Sequence, residues 1–327
     1  MEDNYTKIEQ IGIIQKLKGT KFNNNFINLV NYVGEILDNG PVLREIGFTP
    51  HDFSHHVKDI YLLLDKMIPE GFYAKYNAGE NLFVLLTGAL FHDYGMIKQW
   101  NDEIRLQHSR IGRDFFREAL ANPDGVIKQF IESKYSVYIE DIIYAHSDIK
   151  AQDGTRVETF REICEKYENQ DYRHKGEREE INVPFLAALV RLADELDITY
   201  ERIENINYNQ INNLPSSLQH FMLCEMFREV QISRSGENLT IVVDETKCNL
   251  QLLKKKEADI SEDEILKLAT QAANILERYE KIRDEFRTLN ELVLRNTSYS
   301  SEEIWKIRKI NLDKYDDLVE AAQKKKE

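Results

Sequence analysis

Cysteine is scarce. Cys164, Cys224 and Cys248 are the only three in 327 residues, they are scattered, and no two have CxxC spacing. That excludes a disulfide framework, and a reducing, cytoplasmic compartment is the simplest expectation. Long hydrophobic runs are missing too. The most apolar stretch, around Leu82 to Phe91, is far too short to cross a bilayer. The opening MEDNYTKIEQ is acidic and polar, unlike a signal peptide. No membrane partner is expected. Positive charge is in deficit: the formal net charge is −14. So acidic a surface repels nucleic-acid backbones, so long DNA or RNA is not the expected partner. A small nucleotide in a local basic pocket remains compatible. Glycine (14) and proline (6) are few, and long segments repeat apolar residues at steps of three and four. The expected class is mainly α.

Helices are expected over FNNNFINLVNYVGEIL, HHVKDIYLLLDKM, ENLFVLLTGALF, QHSRIGRDFFREAL, VYIEDIIYAH and VPFLAALVRLADELDITYERI. Asn39–Gly40–Pro41 and Asn122–Pro123 are stops, and Pro184 fits a first helical turn. From Ile149 to Asn182 the chain turns polar and reads as a loop-rich insertion with one short helix, about 157–167. After Asn205 the character changes, which places a helical core at 1–205 and an accessory region at 206–327. Within the latter, EVQISRSGENLTIVVDE alternates as a β-hairpin over about 229–245. Ser261 and Glu264 form a capping box for a long helix over about 261–295. Its apolar positions include Ile275, Tyr279, Ile282, Phe286, Leu289 and Val293. They repeat over four heptads, either as a face packed on the chain itself or as a seam for a homodimer or partner protein.

LLTGALFHDYG ends the most apolar helix in His92 and Asp93. An unpaired carboxylate there costs several kcal/mol to desolvate, a penalty that a shared cation removes. Gly95 lets the backbone turn sharply. His55, with His56 beside it as the substitute, opens one helix. His108 lies near the start of another and His146 ends a third. Asp194 interrupts FLAALVRLADELD, a locally unfavourable choice of the kind that marks functional sites. Asp197 shares part of its face, as a partner for a ligand or a helix-end group. Imidazole and carboxylate donors suit Mn, Fe, Ni, Zn or Mg. One ion would take His55, His92, Asp93 and Asp194, and a second would share Asp93 and recruit His108 and His146. Arg110, Arg113, Arg191 and Lys98 are the cations nearest these motifs and the candidates for phosphate.

The order His, His-Asp, distant Asp on successive helices resembles the HD superfamily of metal-dependent phosphohydrolases. HDFSHH is similar to the HDxSH form of the first motif, LFHDYG to the HDxG core, QHSRIG to the HxxxG element, IIYAHSD to the next histidine motif, and LVRLADELD to the closing Asp motif. The resemblance covers about Thr49 to Ile203. It implies a helical HD bundle with a small accessory hairpin and a long C-terminal helix. It also implies metal-activated water cleaving a phosphate ester or anhydride of a nucleotide-type substrate, with Asp93, His108 and His146 as catalytic groups. The alternative is a catalytically weak module that senses a nucleotide or joins a complex. Two departures stand out. Met96 follows Gly95 where many relatives have Lys, and Ser147 stands where some dinuclear relatives have a second histidine.

Overall fold

The computed structural model describes residues 3–39, 53–68, 72–73, 78–96, 106–151, 153–169, 181–198, 200, 223–233, 237–244, 271–295 and 309–324. The helices are α1 (Gly12–Leu17), α2 (Asn23–Asn39), α3 (Lys58–Met67), α4 (Ala78–Phe91), α5 (His108–Ala121), α6 (Val126–Phe130), α7 (Ser133–Ala145), α8 (Thr159–Asn169), α9 (Val183–Leu196), α10 (Gln271–Arg295) and α11 (Tyr315–Lys324). Among the described residues the chain is mainly α, with two small sheets.

Two helices that are apolar on every side set the layout. In α4, Leu82 through Leu86 and Ala89 through Phe91 are all buried, and in α9 every residue from Val183 to Ala193 is. Such helices can only lie inside a bundle. Accordingly α9 packs against α3, α4, α7, α8 and α10, while α7 packs against α4, α5 and α9. The start of α9 follows from its sequence: Asn182 accepts a hydrogen bond from the Phe185 amide at 3.2 Å, and Pro184 sits in the first turn.

The expected helix over 55–67 begins differently. Phe53–Val57 is wound as a π-helical turn before α3. Such turns are frequent at functional sites. The Asp38 carboxylate of α2 holds its first amide, Phe53 N, at 3.0 Å.

The hairpin forms with strands β3 (Phe227–Ile232) and β4 (Asn238–Val243), antiparallel, pairing Val230 with Ile241 and Ile232 with Leu239. A third strand, β5 (Lys309–Leu312), joins β4 in parallel and was not expected. The other sheet is a two-residue ladder, β1 (Ile149–Lys150) with β2 (Arg156–Val157). α1, α6 and α11 are further additions to the expected elements, each ten residues or fewer. The boundary expected at 205–206 and the capping box at Ser261 lie outside the described residues.

In α10 the heptad positions Ile275, Tyr279, Ile282, Phe286, Leu289 and Val293 are all buried within this chain, where α10 packs on α9 and α11. The stripe that would form an intermolecular seam is covered by the protein's own helices. Cys164 and Cys224 are buried and in no disulfide. No helix among the described residues is long and apolar enough to cross a membrane.

Gly95 lies in the tight 3-10 turn Tyr94–Met96, as expected, but what its missing side chain serves is close approach. Among the described residues only Gly19 and Gly154 are glycines with positive φ. A Cβ on Gly95 would lie 2.2 Å from the His108 carbonyl oxygen and 2.6 Å from the Gly112 amide nitrogen, both backbone atoms of α5. Gly95→Ala must push α5 away, and it should destabilise the fold by about 3 kcal/mol. Gly79→Ala, whose Cβ would touch only the Thr20 and Phe22 side chains at 3.3–3.4 Å, should change stability by less than about 1 kcal/mol. Urea denaturation of the two variants measures the difference.

Candidate metal centre

Five helix ends or turns converge. His56 comes from the π turn, His92 and Asp93 follow the last residue of α4, His108 opens α5, His146 caps the end of α7, and Asp194 sits in the last turn of α9. They form two nests that share Asp93. In the first, His56, His92, Asp93 and Asp194 each offer one donor atom, all within 4.8 Å of one another; Asp93, His108 and His146 do the same in the second.

In the first nest His56 Nε2 lies 2.8 Å from His92 Nε2 and 3.0 Å from Asp93 Oδ2. His92 Nε2 is 3.5 Å from the same oxygen, and Asp194 Oδ1 is 3.9 Å from both imidazoles. In the second, His108 Nε2 and His146 Nε2 are 2.9 Å apart. They lie 3.5 and 3.4 Å from Asp93 Oδ1. One carboxylate thus turns each of its oxygens to a different pair of imidazoles.

The tautomers follow from the partners. His92 Nδ1 is 2.7 Å from the Ala89 carbonyl and His146 Nδ1 is 2.6 Å from the Ile143 carbonyl, in each case three residues back. A carbonyl only accepts, so both Nδ1 atoms carry hydrogen, and neutral rings turn bare Nε2 lone pairs into the nests. His56 Nδ1 likewise meets Asp197 Oδ2 at 2.5 Å. Full burial pushes the His92 imidazole down to about 4, against the upward pull of Asp93. It is a neutral donor at physiological pH.

This donor set suits a divalent cation. Ligands about 2.0–2.1 Å from one ion lie roughly 3 Å from each other, close to the separations within each nest. Two bare imidazole nitrogens at 2.8 Å repel unless a proton or a cation lies between them, and a proton on His56 can serve only one of its two neighbours. The group could hold a metal ion; which metal is not fixed by these donors.

Several expected residues have other surroundings. The sequence reading chose His55 with His56 as its substitute: it is His56 that lies in the first nest, and the His55 side chain lies outside the described residues, as does Lys98. Arg110 is exposed on α5. The Arg113 guanidinium lies over the Tyr144 ring, 4.0 Å from its centre. Burial, then a hydrogen bond to Glu162, pushes that tyrosine hydroxyl up to about 12. Arg191, expected to reach phosphate, is buried instead. It donates to the Ala145 carbonyl at 3.1 Å and to Asp148 Oδ1 at 2.8 Å, and it pairs with Glu285. A guanidinium so engaged braces the bundle. Asp197 fills both expected roles: its amide closes the end of α9 on the Asp194 carbonyl, and its carboxylate orients His56. Sequence reading missed Glu285 and Arg278, because nothing local marks a charged residue on α10 as facing another helix.

Two measurements follow. Asp197→Asn replaces the acceptor that fixes His56, and it should weaken divalent-metal binding by about 10–100-fold, read by equilibrium dialysis with Mn. The second concerns His92 in the metal-free protein. The unfolded chain binds a proton at His92 near pH 6.5 and the folded chain only near 4, so unfolding takes up protons in that window. Stability is therefore full above about pH 6.5 and falls as pH drops toward 4. Thermal unfolding across this range should show the loss, and His92→Gln should flatten it.

Of the comparisons with known proteins, only the family models give a match. No curated protein and no solved structure matches the chain. The family model HD-CE matches residues 45–295, a span that contains all six residues of the two nests. The match extends through α10 and takes in most of the chain: the protein belongs to the HD-CE family.

Proposed function

We propose that the protein is a metal-dependent phosphohydrolase cleaving a phosphate ester or anhydride of a small nucleotide-type substrate, as in the HD superfamily it resembles. The observation that supports this reading is the division of Asp93 between two imidazole pairs. His56, His92, Asp93 and Asp194 would hold one divalent ion, with Mn, Fe, Ni, Zn and Mg all compatible, and Asp93, His108 and His146 a second. A divalent cation, when bound, acidifies water to near-neutral pKa and neutralises charge that develops on phosphoryl oxygens.

The protein's own groups supply the rest. Asp194 and His108 are the more open members, with side chains 25% and 14% exposed, so the centre faces solvent on their side. Where no second ion binds, His108 would be free to exchange a proton there. Arg110, two residues along the same helix and exposed, offers a guanidinium to phosphoryl oxygens. The formal net charge of −14 favours small substrates over nucleic-acid strands.

Purified protein with Mn or Ni should release product from at least one member of a panel of mononucleotides, nucleoside triphosphates, cyclic dinucleotides and dinucleoside polyphosphates. Asp93→Ala, which strips both nests of their shared carboxylate, should reduce the rate at least about 100-fold. Activity unchanged in that variant would refute the assignment. Tight nucleotide binding with no turnover across the panel would favour a nucleotide-sensing module.

A further inference from the structure

We infer that α10 is a working part of the metal centre: Arg278 and Glu285 are positioning residues that hold, from outside, the turns carrying Asp194 and His146. This rests on the reading that the two nests bind metal. Arg278 Nη2 donates to the Glu195 carbonyl at 3.1 Å and lies 3.0 Å from the Glu195 carboxylate, which also takes Lys281 Nζ at 2.9 Å. Glu195 is the residue after Asp194. Its carbonyl is among the last four of α9, which have no partner within the helix. Arg278 supplies that partner.

Glu285, two turns along α10, pairs with Arg191, three residues before Asp194. Arg191 passes the constraint on. Its Nη1 reaches the Ala145 carbonyl and Asp148 Oδ1, the residues flanking His146 and Ser147. Arg191 is only 6% exposed, and removing one carboxylate would leave its buried charge poorly matched. α10 thus grips α9 on both sides of Asp194, and through Arg191 it also grips the end of α7. Fully buried Ile282 and Leu289 keep α10 itself in place.

The test uses the full chain and Mn binding, followed by equilibrium dialysis and by electron paramagnetic resonance, which distinguishes one ion from a coupled pair. Arg278→Gln should weaken the tighter site about tenfold. Glu285→Gln should leave that site within about twofold and weaken the second about tenfold. Arg287→Ala, whose side chain is 71% exposed, should change neither. Thermal unfolding of the metal-free proteins separates positioning from bulk stability: variants that unfold earlier yet bind Mn as the wild type does would overturn the inference alone. Glu285→Gln is isosteric and decides the matter if Arg278→Gln does not fold. A wild type that binds a single ion would overturn the role given to Glu285, and one that binds none would overturn this inference and the proposed function together.

Discussion

Everything at the centre of this protein depends on the placement of one carboxylate. Asp93 lies two residues past Phe91, the last residue of the buried helix α4, and is 7% exposed. Left alone it would be protonated or would unfold its surroundings, since an isolated buried charge costs many kcal/mol. Two imidazole pairs, from four separate elements, close on its two oxygens with Nε2 lone pairs, so a cation shared among them is what would offset that charge. The bundle must therefore bring the π turn, the start of α5 and the end of α7 to one point. Gly95 and Gly112 permit the nearest of these approaches, backbone against backbone, where any side chain would hold α5 off. The glycine and the carboxylate in LFHDYG are two halves of one requirement.

The same economy governs the imidazoles. His92 and His146 each follow the body of a helix and each bond back to the carbonyl three residues earlier. That carbonyl would otherwise be an orphan of the helix end. One hydrogen bond satisfies the helix, selects the tautomer and aims the other nitrogen. His56 stands in a π turn, and its Nδ1 is held by Asp197, the residue that closes α9. The residue that caps α9 thereby orients the ligand on another helix.

Much of the centre was legible in the sequence because its members break local rules. His92, Asp93 and Asp194 stand out as polar residues in or beside uninterrupted apolar helices. His108 and His146 stand at expected helix ends. The choice between His55 and His56 was not legible, because the apolar register after the motif fits either. What remained hidden has one physical cause, which is pairing at long sequence separation. Arg191 was read as a phosphate ligand from its residue type and its place near Asp194. Its real partners, Asp148 and Glu285, lie 43 and 94 positions away, and composition carries no trace of that. β5 was missed for the same reason: four residues between charged neighbours become a strand only because β4 is there to pair with.

The two nests are not equivalent, and the difference follows from charge. The first collects two carboxylates and two imidazoles, while the second has two imidazoles and only the far oxygen of Asp93. Asp148, two residues after His146, is an acid close by in the chain, and it is already committed. Burial would raise it, but Arg191 and Arg156 more than compensate and hold it ionised below its usual range. Ser147, where dinuclear relatives carry a histidine, does not replace the missing ligand with its backbone either, since its carbonyl accepts from Ser109 at 2.9 Å and Thr159 at 3.0 Å. Coulomb attraction therefore ranks the first nest above the second for any divalent ion. The weakness of the second nest is thus a consequence of one serine and one arginine pair rather than of the imidazoles themselves.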